Sequence, residues 1–138
     1  MTDDQMMNSA SAQAHSLLRT AGTPFADRVG ELVRAWEADG RDPGLLVTGR
    51  PFFALYCWHL QTSRGSREHD AATTAYVASA HRAIGGAAGW NAVLSERAHC
   101  SCHGERWRLE NLSICLGCLD YVCYQLDGPC CAGAPIVG

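Results

Sequence analysis

The sequence predicts a mainly α-helical fold in which a small N-terminal helical bundle precedes a C-terminal cysteine-rich module with a short β-hairpin. Two observations lead to this prediction. Apolar residues recur at helical spacing in the first part of the chain, and seven of the eight cysteines lie between Cys100 and Cys131. We therefore divide the chain into a flexible N-terminus (residues 1–12), a helical bundle (13–98) and the cysteine-rich module (99–138).

The clearest helix follows Thr23 and Pro24, a capping hydroxyl and a proline at the first helical position, and ends at Gly40. Its apolar residues are spaced by 4, 3, 1 and 3 positions, as on one helix face. They are Phe25, Val29, Leu32, Val33 and Trp36. A short helix through Leu17 and Leu18 is expected before it.

Two further helices are expected after a short turn at Asp42 and Pro43. One runs from Pro51 to about Thr62, and the next starts near Asp70. The second meets three glycines before Trp90, namely Gly85, Gly86 and Gly89. We expect these glycines to break the helix; in the alternative, they allow a neighbouring helix to approach closely.

Composition limits the classes of function. All eleven basic residues are arginine, which excludes a Schiff-base lysine and a Walker-type lysine. The net charge is −3 and residues 99–138 hold more acidic than basic side chains, so nucleic acid is not expected as a partner. The longest apolar stretch, from Pro51 to Leu60, is about half of what a membrane span needs. The N-terminus lacks a signal pattern, so a cytoplasmic location is expected.

The cysteine cluster favours metal ligation, because thiols stay reduced in the cytosol. Cys115 and Cys118 form a Cys-x-x-Cys pair, whose turn brings two thiolates to one zinc ion. The first cluster offers the same spacing twice, as Cys100 with His103 or as His99 with Cys102, besides the tighter pair of Cys100 and Cys102. The sequence leaves this choice open. The predicted metal ligands are Cys100, Cys102, His103, Cys115, Cys118, Cys123, Cys130 and Cys131.

Between the two clusters, Trp107, Leu109, Leu112 and Ile114 alternate as in a hairpin strand. We expect Trp107, Tyr121 and Tyr124 to pack over the metal sites; the alternative is an exposed aromatic surface for a partner.

Residues 99–131 resemble cross-brace zinc fingers of the FYVE and PHD kind, and ubiquitin-binding fingers of deubiquitinases share the middle spacing. The resemblance implies two zinc ions. Cys123 would join the first cluster, while Cys130 and Cys131 would join Cys115 and Cys118. Leu126 stands where the third pair should be completed, so a histidine of the first cluster would supply the remaining ligand. The basic stretch that reads phosphoinositides is replaced by residues 111–114, so the resemblance implies a scaffold and no particular ligand.

The metal is expected to be structural, because a 40-residue segment poor in apolar residues does not offset a conformational entropy of about 1.5 kcal/mol per residue. Zinc supplies ~10–16 kcal/mol. The sequence thus predicts a small intracellular zinc-binding protein, with one or two ions, that acts as an adaptor or regulator through a partner protein. On this basis, chelation should unfold residues 99–138 and leave the helices largely intact.

Two alternatives remain. An iron–sulfur or thiol redox protein would use Cys102, Cys115, Cys118 and Cys123 for a cluster, with the adjacent Cys130 and Cys131 as an oxidisable pair. A zinc-dependent enzyme would need an open coordination position and a base, for which Glu105 and Glu110 are available.

Overall fold

The computed structural model describes residues 12–18, 24–62, 71–100, 104–122 and 136–137. The predicted fold class is confirmed in its coarse form, a mainly helical chain with two small antiparallel sheets. The helices are α1 (residues 12–18), α2 (Phe25–Ala38), α3 (Gly49–Thr62), α4 (Ala71–Ala83) and α5 (Gly86–Ser95). Two 3-10 turns, η1 and η2, span Pro43–Leu45 and Leu109–Asn111. The strands are β1 (Arg97–His99), β2 (Arg106–Arg108), β3 (Ser113–Cys115), β4 (Tyr121–Val122) and β5 (Ile136–Val137).

Helix α2 confirms the pattern from which it was predicted, since all five apolar residues of the predicted face are buried. The start differs by one residue: Pro24 is the N-cap rather than the first helical residue, and the predicted cap Thr23 lies outside the described residues. Arg28 is also buried and donates from Nη1 to the carbonyl of Leu18 at 2.9 Å, which ties α2 to α1.

The glycine-rich stretch breaks the helix, as expected. Helix α4 ends at Ala83 and α5 begins at Gly86, and the intervening Gly85 has a φ of 107°, which favours glycine. Gly89 is needed for a different reason. A Cβ atom there would lie 1.9 Å from the carbonyl oxygen of Ile84. The backbone at the helix break is therefore too close to residue 89 for any side chain there.

A buried tyrosine joins α4 to the turn before α3. The Tyr76 hydroxyl donates to Leu45 O at 2.7 Å and accepts from Val47 N at 3.0 Å. Its ring meets Trp36 of α2 edge-on at 5.2 Å. Tyr76 therefore satisfies two buried backbone groups and packs against a second helix at once.

The strands form two separate antiparallel sheets. One is the hairpin β1–β2, in which Ala98 pairs with Trp107; the other has the order β4-β3-β5. The expected single strand between Trp107 and Ile114 is wrong in detail, because η2 interrupts it. The residues before η2 belong to one sheet and those after it to the other.

One hydrophobic core runs through helices and sheet. Phe53 of α3 is buried, stacks on Trp90 of α5 at 5.8 Å and meets Tyr121 of β4 edge-on at 5.6 Å. A backbone hydrogen bond also joins η2 to the end of α5, since Leu109 N donates to Glu96 O at 2.8 Å. The core thus crosses the boundary predicted at residue 98. None of the helices in the described ranges has the length and apolarity that a membrane span requires.

Candidate metal-binding turns

The second cysteine turn, residues 115–120, connects β3 to β4. Cys115 N donates to Asp120 O at 3.0 Å, and Leu119 N donates to Cys115 O at 2.8 Å. Leu119 has a φ of 61°, a left-handed conformation that costs a bulky residue about 1–2 kcal/mol. Its side chain is fully buried, and this burial offsets the cost.

The sulfur of Cys115 is placed like a thiolate ligand within this turn. Gly117 N donates to Cys115 Sγ at 3.3 Å. A backbone amide that donates to sulfur is a contact also found around metal-bound thiolates. Cys115 is buried and Cys118 is exposed.

The first cysteine turn, residues 100–105, connects β1 to β2. Cys100 N donates to Glu105 O at 2.8 Å, and Gly104 N donates to Cys100 O at 2.9 Å. Gly104 has a φ of 70°. Cys100 is 1% exposed, and the residues between Ser101 and His103 lie outside the described ranges.

The outer face of the β1–β2 hairpin is cationic. The register puts Arg97 opposite Arg108 and His99 opposite Arg106, and all four residues are exposed. The three arginines line a shallow cavity of about 340 Å³. Arg108 also lies 3.6 Å from Glu110, an exposed ion pair of small energetic value. Three guanidinium groups against the one carboxylate of Glu110 leave the cavity with a net positive charge, which disfavours a bound divalent cation.

An arginine at the start of α3 links the helices to the second cysteine turn. Arg50 Nη1 lies 3.4 Å from Asp120 Oδ1, and the guanidinium carbon lies 4.7 Å from the centroid of the Tyr121 ring. Burial raises the pKa of Tyr121, and the nearby Arg50 opposes this shift. The sequence did not predict a role for Arg50, because its contacts with Asp120 and Tyr121 join residues far apart in the chain.

The structure places three of the eight predicted ligands: Cys100 and Cys115 are buried and Cys118 is exposed. The other five, Cys102, His103, Cys123, Cys130 and Cys131, lie outside the described residues. Across the described ranges, no three His, Cys, Asp or Glu side chains form a group that could hold a metal ion. Zinc, the iron–sulfur alternative and the cross-brace arrangement stay predictions.

The aromatic residues near the cysteines are placed differently from one another. Tyr121 is buried against Phe53 of α3, whereas Trp107 is half-buried, and packing over metal sites stays a prediction. Tyr124 lies outside the described residues.

The eighth cysteine, Cys57, is buried in α3, and burial raises the pKa of its thiol from 9.0 to about 12. Such a thiol stays protonated and behaves as a small apolar side chain.

No family model, curated protein or solved structure was found to match this chain.

Proposed function

We propose that this protein is a small intracellular zinc-binding protein in which one or two zinc ions are structural and which acts as an adaptor or regulator by contacting a partner protein. The observation that carries the metal part is the Gly117 amide, which donates to Cys115 Sγ in a tight turn with Cys118 three residues later. An amide aimed at sulfur is what a zinc thiolate needs from its surroundings.

The backbone of this turn adds support. Leu119 holds a left-handed conformation directly after Cys118, and such a conformation persists where the surrounding structure fixes it. A zinc ion held by both sulfurs would fix the turn from outside, while the buried Leu119 side chain fixes it from inside. The two anchors act on the same few residues.

The metal's role is to fix turns rather than to replace a core. The C-terminal segment buries several aliphatic side chains against the helices, namely Leu109, Leu112, Ile114, Leu116 and Leu119. Its strands, however, are only two or three residues long, and such short pairings are marginal on their own. Ions at the turns would hold the strand ends in register.

The adaptor part of the proposal is supported by α5. This helix contains no charged residue, and its large side chains, Trp90, Val93 and Leu94, pack partly buried against the core. Ala88, Asn91 and Ala92 are among its exposed side chains. An uncharged helix surface next to a cationic hairpin is a suitable contact area for another protein.

The test is metal analysis of the full chain purified without air. We expect one or two zinc ions per chain by elemental analysis and a colourless protein. The Cys115→Ser variant should lose bound zinc, whereas Cys57→Ala should keep it, because Cys57 lies inside α3 and belongs to neither cysteine turn. Iron with visible absorption would support the iron–sulfur alternative, and a chain that binds no metal would overturn the proposal.

A further inference from the structure

The two cysteine turns share one backbone frame, repeated after 15 residues from Cys100 to Cys115. In each, the amide of the cysteine donates to the carbonyl five residues later, at 2.8 Å in the first turn and 3.0 Å in the second. In each, the carbonyl of the cysteine accepts from the amide four residues later, at 2.9 and 2.8 Å. The residue at that fourth position is left-handed in both, Gly104 with φ 70° and Leu119 with φ 61°.

The strands that flank the turns follow the same repeat. His99 pairs with Arg106 in the first hairpin, as Ile114 pairs with Tyr121 in the second. The next pair outward, Ala98 with Trp107, corresponds to Ser113 with Val122. The match therefore covers turn and strands, although apart from the cysteines the two segments have little sequence in common.

We infer that the first turn binds its metal ion through Cys100 and not through His99. The partner ligand follows from spacing alone, because the third residue after Cys100 is His103, just as the third residue after Cys115 is Cys118. This inference rests on the proposed zinc-binding function and excludes the pair of His99 and Cys102 from the ligand pairs that the sequence leaves open.

Burial supports the same choice. Cys100 and Cys115 occupy the same position of the frame and are 1% and 0% exposed. Their side chains thus lie on the core side of their hairpins. His99, the last residue of β1, is exposed, whereas its counterpart in the second hairpin, Ile114, is buried.

Electrostatics also disfavours His99. Its side chain shares the outer face with Arg97, Arg106 and Arg108, which would repel a divalent cation. His99 has a structural role instead. Its Nδ1 lies 3.0 Å from Gly104 O, and because a carbonyl oxygen only accepts, Nδ1 donates this bond. The remaining ring nitrogen stays on the cationic face.

The experiment compares four variants of the full chain: Cys100→Ser and His103→Asn against His99→Gln and Cys102→Ser. Bound zinc per chain is measured by elemental analysis after anaerobic purification. We expect the first two variants to lose metal relative to the wild type and the second two to keep the wild-type content. Metal loss in His99→Gln, or retention of the wild-type metal content in Cys100→Ser, would overturn the inference. Metal loss in both Cys100→Ser and Cys102→Ser would overturn the choice of His103 as the partner ligand.

A further variant, Cys100→His, separates ligand loss from misfolding, because it can keep a metal ligand at the position. With Co²⁺ in place of zinc, the variant should still bind cobalt. Its sulfur-to-cobalt charge-transfer absorption should be lower than that of the wild type by the contribution of one thiolate ligand. Unchanged absorption in Cys100→His would contradict ligation by Cys100. If the wild type itself binds neither zinc nor cobalt, the proposed function fails, and this result differs from each outcome above.

Discussion

Replacing Phe53 by alanine tests whether the helices and the cysteine turns form one cooperative unit. The ring is 1% exposed and lies between Trp90 of α5 and Tyr121 of β4, at centroid distances of 5.8 and 5.6 Å. Removing a buried phenylalanine ring costs about 3–5 kcal/mol. For a chain of this size, that loss lowers the melting temperature by roughly 10–15 °C.

The assay follows denaturant unfolding of the zinc-loaded protein with two signals. Far-ultraviolet circular dichroism reports the helices, and a chromophoric chelator reports zinc released from the turns. Because Phe53 touches both α5 and β4, we expect both midpoints to move to lower denaturant by the same amount. Coincident transitions are the mark of a single cooperative unit.

Phe25→Ala is the matched control. Phe25 is also buried, but its ring packs on Trp58 at 5.6 Å, between α2 and α3. In one cooperative unit, this variant also shifts both signals together. If Phe25→Ala shifts only the helical signal and leaves zinc release unchanged, the helices and the turns unfold separately and the reasoning from a shared core is wrong.

Four other substitutions test single features of the fold by denaturant unfolding. Tyr76→Phe leaves two buried backbone groups without a partner and should cost about 2–4 kcal/mol. Gly89→Ala places a Cβ atom 1.9 Å from Ile84 O and should destabilise the protein strongly, whereas Gly30→Ala, inside α2 with room for the methyl group, should be neutral or stabilise by up to about 1 kcal/mol. Burial raises the pKa of Cys57 from 9.0 to about 12. The folded state therefore favours the protonated thiol, and this stabilisation is complete below pH 9 and is lost as the pH rises toward 12. Cys57→Ala should flatten that alkaline decline relative to the wild type, and an unchanged decline would contradict the assignment.

The helices could be predicted because their signals are local. The apolar spacing of α2 specifies one buried face, and the structure buries each residue of that face. The glycines after α4 likewise predicted a break, and Gly85 supplies it with a φ that other residues avoid. The exact bounds were missed by one or two residues: α2 begins after Pro24 and ends at Ala38 rather than Gly40, and α3 begins at Gly49 rather than Pro51.

The sheets could not be predicted in the same way, because strand pairing joins distant residues. The alternation from Trp107 to Ile114 fits one strand, yet η2 divides it between two sheets. Strand β5 has two residues, Ile136 and Val137, and pairs with β3 across more than twenty positions of the chain. A two-residue strand leaves too short a pattern to recognise. The similarity of the two cysteine turns could not be predicted for a related reason. It consists of backbone hydrogen bonds, which the two different amino-acid sequences do not reveal.

The shared core changes what loss of zinc should do. From the sequence, the C-terminal segment was expected to depend on metal alone, and chelation was expected to spare the helices. In the structure, Phe53 of α3 packs on Tyr121, and Arg50 reaches Asp120, whose carbonyl closes the second cysteine turn. An ion at that turn would therefore stabilise the contact surface of α3 as well as the turn itself. Because binding to the folded state alone raises the stability of the whole cooperative unit, chelation should lower the unfolding midpoint of the helices too.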